Sequence, residues 1–132
     1  MLGQLSSSEY YLANIIGSAE QPIMALRSAA VTRALLAAAA IPLETARACV
    51  RVAELAATVA DKGNTNAASD AGVAALLAEA ACKGASYNVR INVASLDDKS
   101  AGASLVLEAK QLVTRTSDSA RAVLEAVEKI IG

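Results

Sequence analysis

The chain has 132 residues, 55% of them hydrophobic and 2% aromatic, with 12 basic and 13 acidic side chains and a formal net charge of −1. A single domain of this size buries a real core, but its charge is too evenly spread and its rings too few to attract or stack nucleic acid. The absence of histidine rules out histidine-based triads and argues against zinc, which leaves acid–base chemistry to carboxylates, lysine, tyrosine or water.

Ser6-x-x-Glu9 has the form of a capping box, and Gly17 would close the short helix it opens. Pro22 suits the first turn of a second helix ending near Ile41. Pro42 then interrupts and starts a third helix, which runs to Lys62 with Gly63 as its stop. The segment GNTNAAS from Gly63 is a polar loop of turn-forming residues. Ser69 or a neighbour would cap a fourth helix with Asp70 in its first turn, where the macrodipole favours an acid; that helix reaches about Ser95. The chain turns over Leu96 to Ser100, and a fifth helix runs from about Ser100 to Ile131, with the polar cluster Thr114 to Ser119 weakening its middle.

The implied fold is all-α, an antiparallel bundle of about five helices. Residues 1–21 read as an N-terminal lead with a short helix, and residues 22–132 as the bundle domain. Ala46, Cys49, Ala53, Ala56 and Ala60 share one face of the third helix, where small side chains admit a close neighbour. Leu105, Ala109, Leu112, Thr116, Ser119, Val123, Ala126 and Ile130 form a heptad seam on the last helix, for a bundle interior or a subunit contact. Alanine buries little area per residue, so such a bundle is expected to oligomerise.

The most apolar run, Ala34 to Ile41, is far shorter than the ~20 residues of a membrane span, and MLGQLSSSEYY lacks the pattern of a signal peptide. Cys49 and Cys82 have no CxxC partner and make no disulfide framework. A soluble, cytoplasmic protein without metal, membrane or nucleic-acid partner is expected.

Asp70 and Asn88 lie eighteen residues apart, five helical turns at the same azimuth and roughly 27 Å along the axis. Asn92 falls one turn beyond Asn88, whereas Arg90 points to nearly the opposite side. Each has an ordinary reading: Asp70 as a first-turn acid, the two asparagines as backbone partners, Arg90 as a surface charge or a partner for Asp97 or Asp98. Gly72 and Gly84 would permit close helix contact. No GxxxxGK[ST] or GxGxxG element occurs.

IPLETA at Ile41–Ala46, GN-x-N-x-x-SD at Gly63–Asp70 and NV-x-IN at Asn88–Asn92, the last two joined by a small-residue helix, resemble the formiminotetrahydrofolate cyclodeaminase/methenyltetrahydrofolate cyclohydrolase family. The likeness covers about Met24 to Asp98 well and the last helix loosely. It implies an all-helical dimer with a folate cleft near the subunit interface, acting on one-carbon units between N5 and N10 of tetrahydrofolate as substrate, with no prosthetic group. Asp70 would be the catalytic carboxylate. Asn64, Asn66 and Ser69 would shape the loop at the helix start, and Asn88 and Asn92 would hydrogen-bond the substrate. The PGGGS-type segment that opens family members is absent here, so a truncated or non-catalytic helical interaction module of the same fold is the competing expectation, and one piece of a split enzyme a third.

Overall fold

The computed structural model describes residues 6–62 and 65–132. Three long helices account for most of them: α1 (Ser7–Asp61), α2 (Thr65–Ala94) and α3 (Ala103–Ile131), with a 3₁₀ turn at Lys99–Gly102 before α3. The chain divides into two compact units, residues 1–34 and 35–132.

The all-α class holds, but three helices stand where about five were expected. Gly17, Pro22 and Pro42 lie inside α1 and neither close nor restart it. A helix-interior proline removes one backbone hydrogen bond and costs about 3 kcal/mol. Around Pro42 the loss is offset by packing, since Ala39 and Leu43 on either side are buried in the core. Pro22 is flanked by the strong helix formers Ala19, Glu20, Met24, Ala25 and Leu26. The Ser6–Glu9 box forms as read: Ser6 N–H donates to Glu9 Oε2 (2.7 Å) and Glu9 N–H to Ser6 Oγ (3.4 Å). These bonds hold the Glu9 carboxyl below its ordinary pKa.

Within residues 6–34, Tyr10, Tyr11, Ile15, Ile16, Ile23 and Met24 are all exposed. An 18-residue window of α1 has mean hydropathy 1.4 with at most two charged residues, and 6% of it is buried. By length and composition alone, α1 is therefore long and apolar enough to cross a membrane. The uninterrupted apolar run Ala34 to Ile41 is shorter than this segment, which also includes residues outside that run. Core helices of soluble proteins share that length and composition.

In residues 35–132 the core is a three-helix bundle built mainly of alanine and valine. One cluster joins Leu43, Cys49 and Val50 of α1 to Cys82, Val89 and Val93 of α2 and Leu112 of α3. A second joins Ala56 and Ala60 to Ala68, Ala71 and Ala75 and to Ala120, Val123 and Val127. The stripe Ala46, Cys49, Ala53, Ala56, Ala60 is wholly buried, and so are Ala109, Leu112, Thr116 and Val123 of the α3 seam. The seam is thus bundle interior, and α3 runs unbroken through Thr114–Ser119.

One polar thread crosses the core. Thr116 Oγ1 donates to Leu112 O (2.8 Å) and lies 3.3 Å from Cys82 Sγ, which is 3.9 Å from Ala46 O. It touches all three helices. On the surface, Arg47 grips the Glu108 carboxylate with two parallel bonds, Nε to Oε1 at 2.7 Å and Nη2 to Oε2 at 2.8 Å, and also pairs with Glu44. This fork geometry fixes α1 against α3 at that level, although partial exposure of both side chains keeps its contribution modest.

The turn into α3 is tightly made. Asp98 Oδ1 accepts from Ser100 N–H (2.9 Å) and Ser100 Oγ (2.6 Å), capping the 3₁₀ turn. Gly102 then passes so close to Val93 that a β-carbon would meet it at 2.6 Å. Gly72 faces Val127 at ordinary contact distance, whereas Gly84 has nothing within 4 Å. The expected role in close helix packing thus fits Gly72; at Gly84 no described residue comes within 4 Å of an added β-carbon.

Candidate functional site

Asp70 sits in the second turn of α2, because the helix begins at Thr65 and not at Ser69. Ser69 is therefore no N-cap, and the dipole account of Asp70 loses its basis, since that effect fades beyond the first turn. Instead the side chain lines a groove between α1 and α2. Val52, Leu55, Ala56 and Val59 form one wall and Ala67, Asp70, Ala71 and Ala74 the other, around about 290 Å³. Asp70 is the sole charged or polar residue among them.

The groove arises from the helix periods. On α1 the buried alanines Ala53, Ala56 and Ala60 pack inward, and Val52, Leu55 and Val59 stand beside them on the outer flank. On α2, Ala68, Ala71 and Ala75 face the core while Asp70 lies to one side. Small residues bring the two backbones together, and the larger branched side chains of α1 raise a rim. Leu55 is 66% exposed, so the rim is a side-chain surface left uncovered by the described residues.

The other predicted residues fall elsewhere. Asn66 and Ser69 are exposed on the first turns of α2, outside the groove lining. Asn64 lies outside the described residues. Asn88 and Asn92 share the azimuth region of Asp70 but stand roughly 27 Å or more further along the axis. Asn92 Nδ2 donates to Asn88 O (2.9 Å), so its amide is partly spent on its own helix. Within one chain, Asp70 and Asn88 do not meet.

Arg90 occupies the opposite flank of α2, roughly 160° around the axis from Asn88 at about 100° per residue. Its guanidinium carbon stands 6.0 Å from the centre of the Tyr87 ring, and Asp98 is engaged with Ser100. On this flank Glu79 Oε1 accepts from Lys83 Nζ (2.7 Å) and from Ser117 Oγ (2.8 Å). Those bonds, the lysine first, hold the Glu79 carboxyl below its ordinary pKa. Among the described residues no three metal-ligating side chains converge.

Reading the sequence alone missed Val52, Leu55 and Val59, which give Asp70 its surroundings. Their signal was present: large apolar residues at i, i+3 and i+7, displaced by one position from the alanine stripe, mark a second face beside the first. What the arrangement offers chemically is a carboxylate at an apolar wall, suited to a flat organic cation or to a group that becomes cationic in reaction.

Comparison with known proteins agrees with the motifs. Residues 16–111 match the family described as Formiminotransferase-cyclodeaminase. A methenyltetrahydrofolate cyclohydrolase of Methylorubrum extorquens is 38% identical over 104 residues, which is 79% of this chain and 50% of that protein. The chain thus spans half the length of the curated relative it matches.

Proposed function

The chain belongs to the formiminotransferase-cyclodeaminase family, and on that premise we propose that the Asp70 groove receives the one-carbon-bearing end of a reduced folate. The observation that carries this reading is the lone carboxylate of Asp70 in a groove otherwise lined by Val, Leu and Ala. At about 290 Å³ the groove lies at the lower edge of small-molecule sites. It has room for the reacting end of a folate, and the remainder would extend beyond it.

The chemistry suits an isolated acid. The methenyl bridge between N5 and N10 is an amidinium cation, which a carboxylate beside an apolar wall attracts. Water adds to the bridging carbon and gives a tetrahedral carbon flanked by two nitrogens. Asp70 accepts the proton that water loses and returns it to the departing nitrogen as one C–N bond breaks, while the carbinol hydroxyl releases its own proton to solvent as the C=O forms, so one proton is set free overall. The product is a formyl group on the other nitrogen. Cyclodeaminase chemistry passes a related tetrahedral carbon with ammonia as the leaving group.

The working unit in this proposal is a cytoplasmic homodimer. On α2, Val73, Leu77 and Ile91 are exposed in line with Ala80 and Gly84. This apolar stripe with a small centre suits a second helix crossing it closely. A two-fold axis near its middle, midway between positions 70 and 88, would set Asp70 of one protomer beside the partner's Asn88. Symmetry thereby removes the 27 Å separation within one chain, and supplies the amide donor that the groove lacks.

The test is loss of the bridged form's absorbance on mixing the purified chain with 5,10-methenyltetrahydrofolate. Wild type is expected to exceed the buffer rate, and Asp70→Asn to fall to it. A wild-type rate equal to buffer discards the catalytic reading. The second reading, a non-catalytic helical interaction module, is favoured by one observation: no polar side chain other than Asp70 lines the groove. Dimer formation without any folate binding would select it.

A further inference from the structure

The flank of α2 that faces α3 carries a separate feature. A cleft of about 340 Å³ is lined by Lys83, Ser86, Tyr87 and Arg90 of α2 and by Lys110, Val113 and Thr114 of α3. It lies around the helix from the Asp70 groove and roughly 25 Å further along the axis. Three cations therefore converge on one small cleft in a protein whose net charge is −1.

Two observations separate this cluster from an ordinary solvated face. The first is charge balance. Lys83 is neutralised by Glu79, whose same oxygen also accepts from Ser117, but among the described residues neither Arg90 nor Lys110 forms an ion pair. Two positive charges thus remain unpaired across the cleft, and Tyr87 steadies one of them by standing under the Arg90 guanidinium.

The second is Ser86, which is 4% exposed. Its hydroxyl has no hydrogen-bond partner among the described residues, whereas the neighbouring Thr114 hydroxyl is committed to Lys110 O at 3.2 Å. No described polar side-chain atom is sealed from solvent without a partner, and Ser86 is among the residues that line the cleft. A donor held at the floor of a cleft whose walls carry two unpaired cations is the pattern of an oxyanion site.

We infer that this cleft binds a small oxyanion bearing at least two negative charges, with Arg90 and Lys110 as the charge partners and Ser86 Oγ donating to one oxygen. Phosphate and carboxylate groups share that chemistry. The site is independent of the folate reading, since it uses none of the Asp70 groove residues.

The experiment is a titration of the full chain, followed by amide chemical shifts, with pyrophosphate and separately with citrate at constant low ionic strength. Saturable shifts centred on Ser86, Arg90, Lys110 and Thr114 are expected. Pyrophosphate alone producing them marks a phosphate site; both anions producing them marks a site for either group. Arg90→Gln combined with Lys110→Gln is expected to weaken binding by about tenfold or more, while Lys99→Gln leaves it unchanged. Shifts no different from those given by sodium chloride at matched ionic strength would overturn the inference. So would a doubly substituted chain that binds as tightly as wild type. Should that variant fail to fold, the map of shifts on wild type decides alone.

Discussion

A β-carbon placed on Gly102 would stand 2.6 Å from Val93 Cγ2 and 2.7 Å from Val93 Cγ1. Gly102 has φ −109°, a conformation any residue adopts, so its requirement for glycine is steric and not conformational. The end of α2 and the start of α3 meet here without room for one methyl group. Gly102→Ala is expected to destabilise the fold by about 1–3 kcal/mol, the usual cost of overpacking. Urea denaturation measures it, and adding Val93→Ala should recover part of the loss. An unchanged midpoint for the single variant would show that the turn relaxes freely.

Thr116 separates the roles of shape and hydrogen bonding in the core. It is 0% exposed, and its hydroxyl donates to a backbone carbonyl within its own helix. Thr116→Val keeps the volume and removes a buried polar group, so its effect on stability is expected to stay within about 1 kcal/mol. Thr116→Ser keeps the hydroxyl but empties a methyl group's space, and is expected to cost about 1 kcal/mol or more. Reversal of this order in thermal denaturation would show that the thread from Cys82 to Thr116 is worth more than the packing around it.

Acid stability follows from the carboxyls whose folded-state pKa is depressed. Arg47 lowers that of Glu108, and Lys83 with Ser117 lowers that of Glu79. A depressed carboxyl contributes stability above its unfolded pKa, about 4.3, and that stability is lost as pH falls through the lower folded value. Glu108→Gln is therefore expected to lower stability near neutral pH and to lessen its decline below pH ~4. Denaturant midpoints measured from pH 7 to pH 3 check this. Parallel curves for wild type and variant would refute a link between the Arg47 pair and acid sensitivity.

What the sequence made legible was set by local pattern. The face from Ala46 to Ala60, the Ser6–Glu9 box, the end of α2 (read at about Ser95, found at Ala94) and the end of α3 at Ile131 follow from spacing and end signals, and the structure has them. The interruptions expected at Gly17, Pro22 and Pro42 did not materialise. A breaker residue exerts a local penalty, while a helix is cooperative over its whole length and gains from core contacts such as those of Ala39 and Leu43. The start of α2 was read about five residues late, since Ser69 has the character of a cap although the helix already begins at Thr65.

The candidate site was legible only in part. The motif drew attention to Asp70 from one short stretch, but its surroundings come from Val52, Leu55 and Val59 on another helix. Which pairs of faces meet is decided by tertiary packing, and no spacing within α2 reveals it. Asn88 and Asn92 illustrate the converse. Their shared side of the helix was readable, whereas the bond from Asn92 to the Asn88 carbonyl was not.

The central claim is that the groove beside Asp70 holds the reacting end of a reduced folate. The most direct measurement follows amide shifts of the whole chain during titration with 5-formyltetrahydrofolate, a stable ligand that does not turn over quickly. Saturable shifts concentrated at Val52, Leu55, Val59, Asp70 and Ala74 are expected, lost in Asp70→Asn and weakened about tenfold in Leu55→Ala. Leu55 is largely exposed, so Leu55→Ala should change stability by no more than about 0.5 kcal/mol. Shifts that never saturate, or that gather on the α3 flank of α2 and leave the groove silent, would contradict the assignment.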